Sequence, residues 1–399
     1  MTKLLDLKNN SVIAINQNNY TKDDNYKKVC YLDTDNITNN RINAFLKIDL
    51  TKEKLPSRAK RKCSLNSIIY SSVRPNQRHF GIIKEIPKNF LVSTAFIVID
   101  IIDLEKLDPN YLYYYITQDK ITHYLQRIAE CGTSSYPSIT PLDFLNIKIK
   151  LYPLETQQKI ARTLSILDQK IENNHKINEL LHKILELLYE QYFVRFDFLD
   201  ENNKPYQTSG GKMKFSKELN RLIPSGWSVR FLNHKIVSTY QPKTISKTLL
   251  NDSYSYSVYG GGGIIGRFTE YNHEQSEFII SCRGQCGISY LTLPKSWITG
   301  NAMVIRPTKS YTSKTYLYHT IKKYKLTNYI TGSVQPQITR QNLSTMPILI
   351  PKRKTLNKWN NISSLLWNLI HNNMQSTQTL TALRDFLLPL LLKQQVKPQ

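Results

Sequence analysis

The sequence predicts an α+β protein. It has two globular halves with mixed sheets, separated by two long antiparallel helices forming a coiled coil, the whole being a pseudo-two-fold internal repeat. Three observations predict this: self-similarity at half the chain length, short β-type runs at matching places, and two heptad seams in one register.

The repeat is read first. Residues 132–151 (GTSSYPSITPLDFLNIKIKL) resemble residues 332–350 (GSVQPQITRQNLSTMPILI) once one residue is deleted. Pro137 matches Pro336, Ile139 matches Ile338, Thr140 matches Thr339 and Ile149 matches Ile348, an offset of 199 residues. The same offset carries Ile171-Glu172-Asn173-Asn174 onto Ile370-His371-Asn372-Asn373. Upstream, SIIYSSVRP around Arg74 resembles EFIISCRGQ around Arg283, and TAFIVI resembles NAMVIR. Repetition on this scale is duplication of a whole unit.

Within each unit the runs IIYSSV, FIVIDII, FIIS and MVIRP are β-branched and bounded by Gly, Pro and Asn, which predicts strands. A short helix follows in each, over YLYYYITQDKITHYLQRIA and KTYLYHTIKKYKLTNYI. Each unit ends in a long helix. The first seam is Ile160, Leu164, Leu167, Ile171, Asn174, Asn178, Leu181, Leu185, Leu188 and Tyr192. At 1.5 Å per residue it makes a rod of roughly 50–60 Å. The second seam is Trp359, Ser363, Leu366, Ile370, Asn373, Thr377, Leu380, Arg384, Leu387 and Leu391. Both carry a polar break. Antiparallel pairing sets Asn174 opposite Thr377 and Asn178 opposite Asn373, and such pairs fix register at a cost in stability. The expected boundaries are residues 1–153 and 223–352 for the globular domains, 154–196 for the central helix, 197–222 for a linker and 353–393 for the second long helix.

Composition narrows the function. The chain of 399 residues carries 54 Lys and Arg against 30 Asp and Glu, a net charge of +24, with 25 Tyr and 13 Phe. Such an excess predicts a polyanionic partner, and duplex DNA suits it. The five cysteines are scattered, and Cys282 and Cys286 lack a second Cys/His pair at zinc spacing, so no metal site is expected. No cofactor is expected either. Met1–Gln17 lack the apolar core of a signal peptide and no apolar run reaches 18 residues, so the expectation is a cytoplasmic protein with no membrane partner.

Catalysis by this chain is not expected. Tyr259 to Gly266 is glycine-rich but lacks the Gly-Lys-Ser/Thr ending of a phosphate loop. There is no Asn/Asp-Pro-Pro-Tyr motif, no compact carboxylate–lysine cluster and no His-Glu-x-x-His spacing. The glycine run reads instead as a sharp turn at Tyr259 and Gly261 that lets backbone approach DNA closely.

The candidate DNA contacts are polar loops recurring at matching places. In the first unit they are Arg58, Lys60 and Arg61, then Arg74, Asn76 and Arg78 after a strand, then Ser135 and Tyr136. In the second unit they are Arg267, Arg283 and Gln285, then Gln335, Gln337 and Arg340. Arg and the amides of Asn and Gln make paired hydrogen bonds to guanine and adenine edges.

Certain stretches carry a family resemblance: Pro153-Leu154-Glu155-Thr156-Gln157-Gln158-Lys159-Ile160-Ala161, Leu167-Asp168-Gln169-Lys170-Ile171-Glu172-Asn173-Asn174, Tyr192-Phe193-Val194-Arg195-Phe196-Asp197-Phe198 and Ile223-Pro224-Ser225-Gly226-Trp227. With Ile69 to Asn76 and Tyr259-Gly260-Gly261, they resemble the specificity subunit of type I restriction-modification enzymes along nearly the whole chain. The resemblance implies two target recognition domains, each reading half of a bipartite site, and helices that act as a ruler. It also implies docking of two methyltransferase subunits and of restriction/translocase subunits, with methylation and cleavage belonging to those partners. The second long helix departs from the pattern, lacking the Pro-Leu-Glu-x-Gln-x-x-Ile start of the first. Because the two units differ outside their framework strands, the expected target is asymmetric. The competing reading is a coiled-coil adaptor with a basic surface and no sequence-specific DNA reading.

Overall fold

The computed structural model describes residues 1–131, 136–251, 254–332 and 335–397. The chain divides into two compact units, Met1–Asn173 with Thr377–Gln399, and Asn174–Ser376. Each unit therefore holds a globular part and a piece of both long helices.

In unit 1 a four-stranded antiparallel sheet runs in the order Ile13–Ile15, Phe96–Ile101, Ile68–Ser71, Phe80–Ile82. Ile68 to Ser71 and Phe96 to Ile99 are buried throughout, so continuous apolar runs serve here where alternation would leave one face wet. A second sheet orders Leu46–Asp49, Lys28–Leu32, Phe90–Ser93 and Ala59–Arg61, with its middle pair parallel.

The helix expected over residues 111–129 is two helices, Pro109–Ile116 and Asp119–Glu130. Asp108 caps the first by accepting from the Tyr111 N–H, with Pro109 in its first turn. The break falls at Thr117 and Gln118, whose side chains donate back to the carbonyls of Tyr113 and Tyr115. Tyr70, Ile97, Tyr111, Leu112 and Phe144 form the core, and Ile160, Ala161 and Leu164 of the central helix close it together with Leu391 and Leu392.

Unit 2 repeats this topology. Its main sheet orders Val237–Tyr240, Ala302–Pro307, Phe278–Ser281 and Ser289–Leu291, again antiparallel throughout. Its smaller sheet orders Gly263–Phe268, Tyr256–Gly260 and Trp297–Ile298, with the last pair parallel. One difference lies in the stretch expected to be a linker. There Met213–Ser216 pairs with Arg221–Pro224 as a hairpin, and Phe198 stacks between Tyr206 and Trp227 with centroids 4.9 and 5.1 Å away. Aromatic packing orders a segment whose polar, glycine-containing composition reads as loop.

The long helices are Leu154–Tyr189, followed by a π-helical turn at Glu190–Val194, and Arg353–Lys393. Within unit 1, Arg384 pairs with Asp168 at 2.8 Å and the Tyr152 hydroxyl donates to the Leu392 carbonyl. Within unit 2, Asn373 donates to Asn178 at 2.9 Å and His182 packs on Trp367. In both units the helices run antiparallel.

Candidate nucleic-acid interface

Each unit ties three loops together at one end of its main sheet by the same backbone hydrogen bonds. In unit 1 the Ile139 N–H donates to the Ser72 carbonyl and the Ser72 N–H to the Ala95 carbonyl, both at 2.8 Å. In unit 2 the Ile338 N–H donates to the Cys282 carbonyl at 3.1 Å and the Cys282 N–H to the Asn301 carbonyl at 2.9 Å. Ser72 and Cys282 are thus equivalent, as are Ala95 and Asn301. The next position bridges to the third loop in both units, Val73 with Ser138 and Arg283 with Gln337.

This geometry keeps the register in which SIIYSSVRP lies against EFIISCRGQ. Arg283 corresponds to Val73, and Arg74 corresponds to Gly284. Backbone conformation agrees, since Arg74 has φ 47° and Gly284 φ 74°, both left-handed.

Arg74 and Asn76 are exposed on the unit 1 loop. The Arg74 N–H donates to the Pro137 carbonyl at 2.9 Å, and its guanidinium lies 5.5 Å from the Tyr136 ring centroid, a cation–π arrangement. Tyr136 is 64% exposed. Arg78 is turned to Asp119, 2.8 Å away. Ser135 lies outside the described residues. Arg58 and Lys60 are exposed, whereas Arg61 is half-buried with its Nη1 enclosed and without an acceptor among the described residues. Burial draws its pKa down.

In unit 2, Arg283, Gln285, Gln335, Gln337 and Arg340 are exposed. The Ser281 hydroxyl donates to the Gln285 carbonyl, and the Cys286 thiol donates to the Pro336 carbonyl at 3.1 Å. These bonds hold the 283–287 turn against the 335–337 loop.

Three residues expected at the interface have other places. Tyr259 is only 3% exposed, packs with Ile279, Ile298 and Val304, and accepts from the Leu293 N–H at 3.0 Å. Burial pushes its hydroxyl up to about 12. Gly261 does sit in a tight turn, but the close neighbour is internal: a Cβ there would stand 2.7 Å from the Arg283 carbonyl. Arg267 donates to the carbonyls of Tyr254 and Ser255, so its guanidinium braces its own loop.

Of the seam residues, Asn178 accepts from Asn373 and donates to the Ile370 carbonyl at 3.3 Å. Asn174 donates to the Asn373 carbonyl at 3.5 Å, and Thr377 belongs to unit 1.

Sequence reasoning passed over two polar segments. Gln17, Asn18 and Asn19 are exposed beside Lys60 and Arg61, to which they are joined by the Tyr20 N–H donating to the Lys60 carbonyl and the Lys62 N–H to the Asn18 carbonyl. An amide run directly after the strand Ile13–Ile15 is the signal that marks them. Gln241 donates to the Cys282 sulfur at 2.8 Å and so lies beside the unit 2 loops. Among the described residues no group of three or more His, Cys, Asp or Glu is placed to hold a metal ion, and no helix is long and apolar enough to cross a membrane.

The chain matches the family described as Type I restriction modification DNA specificity domain, over residues 6–183 and 224–383. It is 23% identical to the specificity subunit of the type I restriction enzyme HindI of Haemophilus influenzae, covering 93% of this chain and 95% of that one. It is 24% identical to the specificity subunit of the type I restriction enzyme MjaIX of Methanocaldococcus jannaschii, covering 73% and 70%. The crystal structure of a type I restriction-modification system S subunit from M. genitalium shares the fold, with a TM-score of 0.56 at 16% identity over 98% of this chain and 95% of that one. With two family matches spanning most of its length, the chain belongs to the type I restriction modification DNA specificity domain family.

Proposed function

We propose that this chain reads a bipartite, asymmetric duplex DNA target for a type I restriction-modification complex, one half-site per unit. The observation that carries the proposal is that one hydrogen-bonded frame occurs twice but presents different side chains. Ser72–Ala95–Ile139 presents Arg74, Asn76 and Tyr136, whereas Cys282–Asn301–Ile338 presents Arg283, Gln285 and Gln337. A repeated frame with unlike loops suits two unlike half-sites, because phosphate contacts position a protein while loop side chains read base edges. Residues 1–153 and 223–352 act as the recognition domains. Two modification subunits dock on the helices, a restriction/translocase subunit completes the complex, and methylation and cleavage are the work of those partners.

The test is co-expression with the cognate modification subunits in a host free of adenine methylation, followed by single-molecule mapping of methylated bases. A motif of two different half-sites separated by a fixed gap is expected. A palindromic motif, a single contiguous motif or no motif overturns the proposal.

A further inference from the structure

We infer that unit 1 carries a second reading device that unit 2 lacks: a two-stranded polar ribbon, Asn18–Tyr20 against Lys60–Lys62, whose exposed Asn18 and Asn19 amides determine specificity at one half-site. This rests on the DNA-reading function proposed above.

The ribbon is built from segments some forty residues apart. Asn19 bridges Arg61 antiparallel, with the Tyr20 N–H donating to the Lys60 carbonyl at 2.6 Å and the Lys62 N–H to the Asn18 carbonyl at 2.9 Å. In such a narrow pair the facing side chains stand closest. Its base is fixed. Tyr20 and Tyr26 pack with centroids 5.3 Å apart, and Lys62 pairs with Asp24 at 2.6 Å. Its outer side chains face solvent: Asn18, Asn19 and Lys60 are exposed. The ribbon adjoins the loop cluster, because the Thr94 N–H donates to the Arg58 carbonyl at 2.8 Å while neighbouring Ala95 accepts from Ser72.

The chemistry points to a duplex groove. A two-stranded ribbon fits the major groove, where the Asn amide pairs with both hydrogen-bonding positions of adenine and a Lys meets phosphate as a point charge. In unit 2 the equivalent edge of the smaller sheet carries only a single antiparallel bridge, His273 with Ser296, where His273 is buried and the Asn272 amide is taken up by the Ile298 backbone at 2.9 and 3.0 Å, so no ribbon of exposed amides stands there among the described residues. The device therefore belongs to one half-site.

The test maps methylation by the complete modification complex carrying the wild-type chain, Asn19→Ala, Lys60→Ala or Gln285→Ala. Asn19→Ala is expected to relax one base pair of one half-site, with discrimination there falling about 5- to 150-fold. Lys60→Ala should lower methylation evenly without relaxing the motif, and Gln285→Ala should alter the other half-site. The ribbon is overturned if Asn19→Ala leaves every position as selective as before, relaxes the half altered by Gln285→Ala, or lowers methylation evenly at an unchanged melting temperature. The wild-type and Gln285→Ala arms report separately on the underlying function: no bipartite motif in the wild type overturns both proposals.

Discussion

At position 74 the backbone adopts a left-handed conformation, φ 47°, with an arginine, where the equivalent position of the second unit has Gly284. A non-glycine residue there costs about 1 kcal/mol. The cost persists beside an exposed guanidinium stacked over Tyr136, which suggests that the side chain is kept for what it touches. Arg74→Gly is therefore expected to leave the melting temperature unchanged or raise it, equivalent to up to about 1 kcal/mol, while weakening DNA binding about tenfold or more. A fall in both would show that Arg74 holds the loop together. Gly261 makes the opposite case. A methyl group there meets the Arg283 carbonyl at 2.7 Å, and backbone cannot yield as a flexible side chain would. Gly261→Ala should displace the 283–285 turn, cost about 1–3 kcal/mol and relax the second half-site alone. Mapping with this variant distinguishes a shifted loop from a generally unfolded chain.

At the scale of elements, the helices are joined within each unit by apolar seams interrupted by polar contacts. In unit 2 the Asn178–Asn373 bond at 2.9 Å satisfies one amide with another. Asn373→Leu leaves Asn178 without its donor and should cost about 1–3 kcal/mol in thermal unfolding. Replacing both by Leu should recover that loss, because an apolar pair needs no partner, while loosening the register that the pair specifies. If the single and double variants melt alike, the amide bond is not what sets the cost. In unit 1, Arg384 occupies a seam position and is held by Asp168 and Asp385, each at 2.8 Å. Although burial disfavours its charge, these two carboxylates raise its pKa above the usual value. The seam itself was legible in sequence because 4-3 spacing needs only local information. The Arg384–Asp168 pair was not, because an arginine in an apolar slot makes sense only once a carboxylate 216 residues away is beside it.

At the scale of the whole molecule, the duplicated frame was legible because a buried strand tolerates few residue types, so Ile68 to Ser71 and Phe278 to Ser281 kept their likeness. The interface was less so. Tyr259 looks like a loop residue beside glycines, yet the parallel pairing of Tyr256–Gly260 with Trp297–Ile298 draws it inward. The Asn18–Asn19 ribbon depends on a bridge between distant segments that periodicity does not report. Acid stability is likewise a property that only the fold discloses. His182, His273, His319 and His371 all lie in unit 2, and burial lowers the pKa of each. His319 falls to about 3, with Lys322 adding to the effect of burial, and His371 to about 4, with Lys314 adding to it. In the unfolded chain an imidazole titrates near 6.5, so between pH 6.5 and about 4 the unfolded state binds protons at His319 and His371 that the folded state refuses. The stability of neutral burial is complete above pH 6.5 and is lost as pH falls, by about 1.4 kcal/mol per pH unit for each of His319 and His371. The melting temperature should hold level from pH 8 to 7 and fall steeply from 6.5 to 5, with unit 2 opening first by hydrogen exchange. His319→Phe, which keeps a ring against Tyr189 and Trp359 and removes one titration, should flatten that fall. An unchanged slope, or earlier opening of unit 1, would show that other groups govern acid stability.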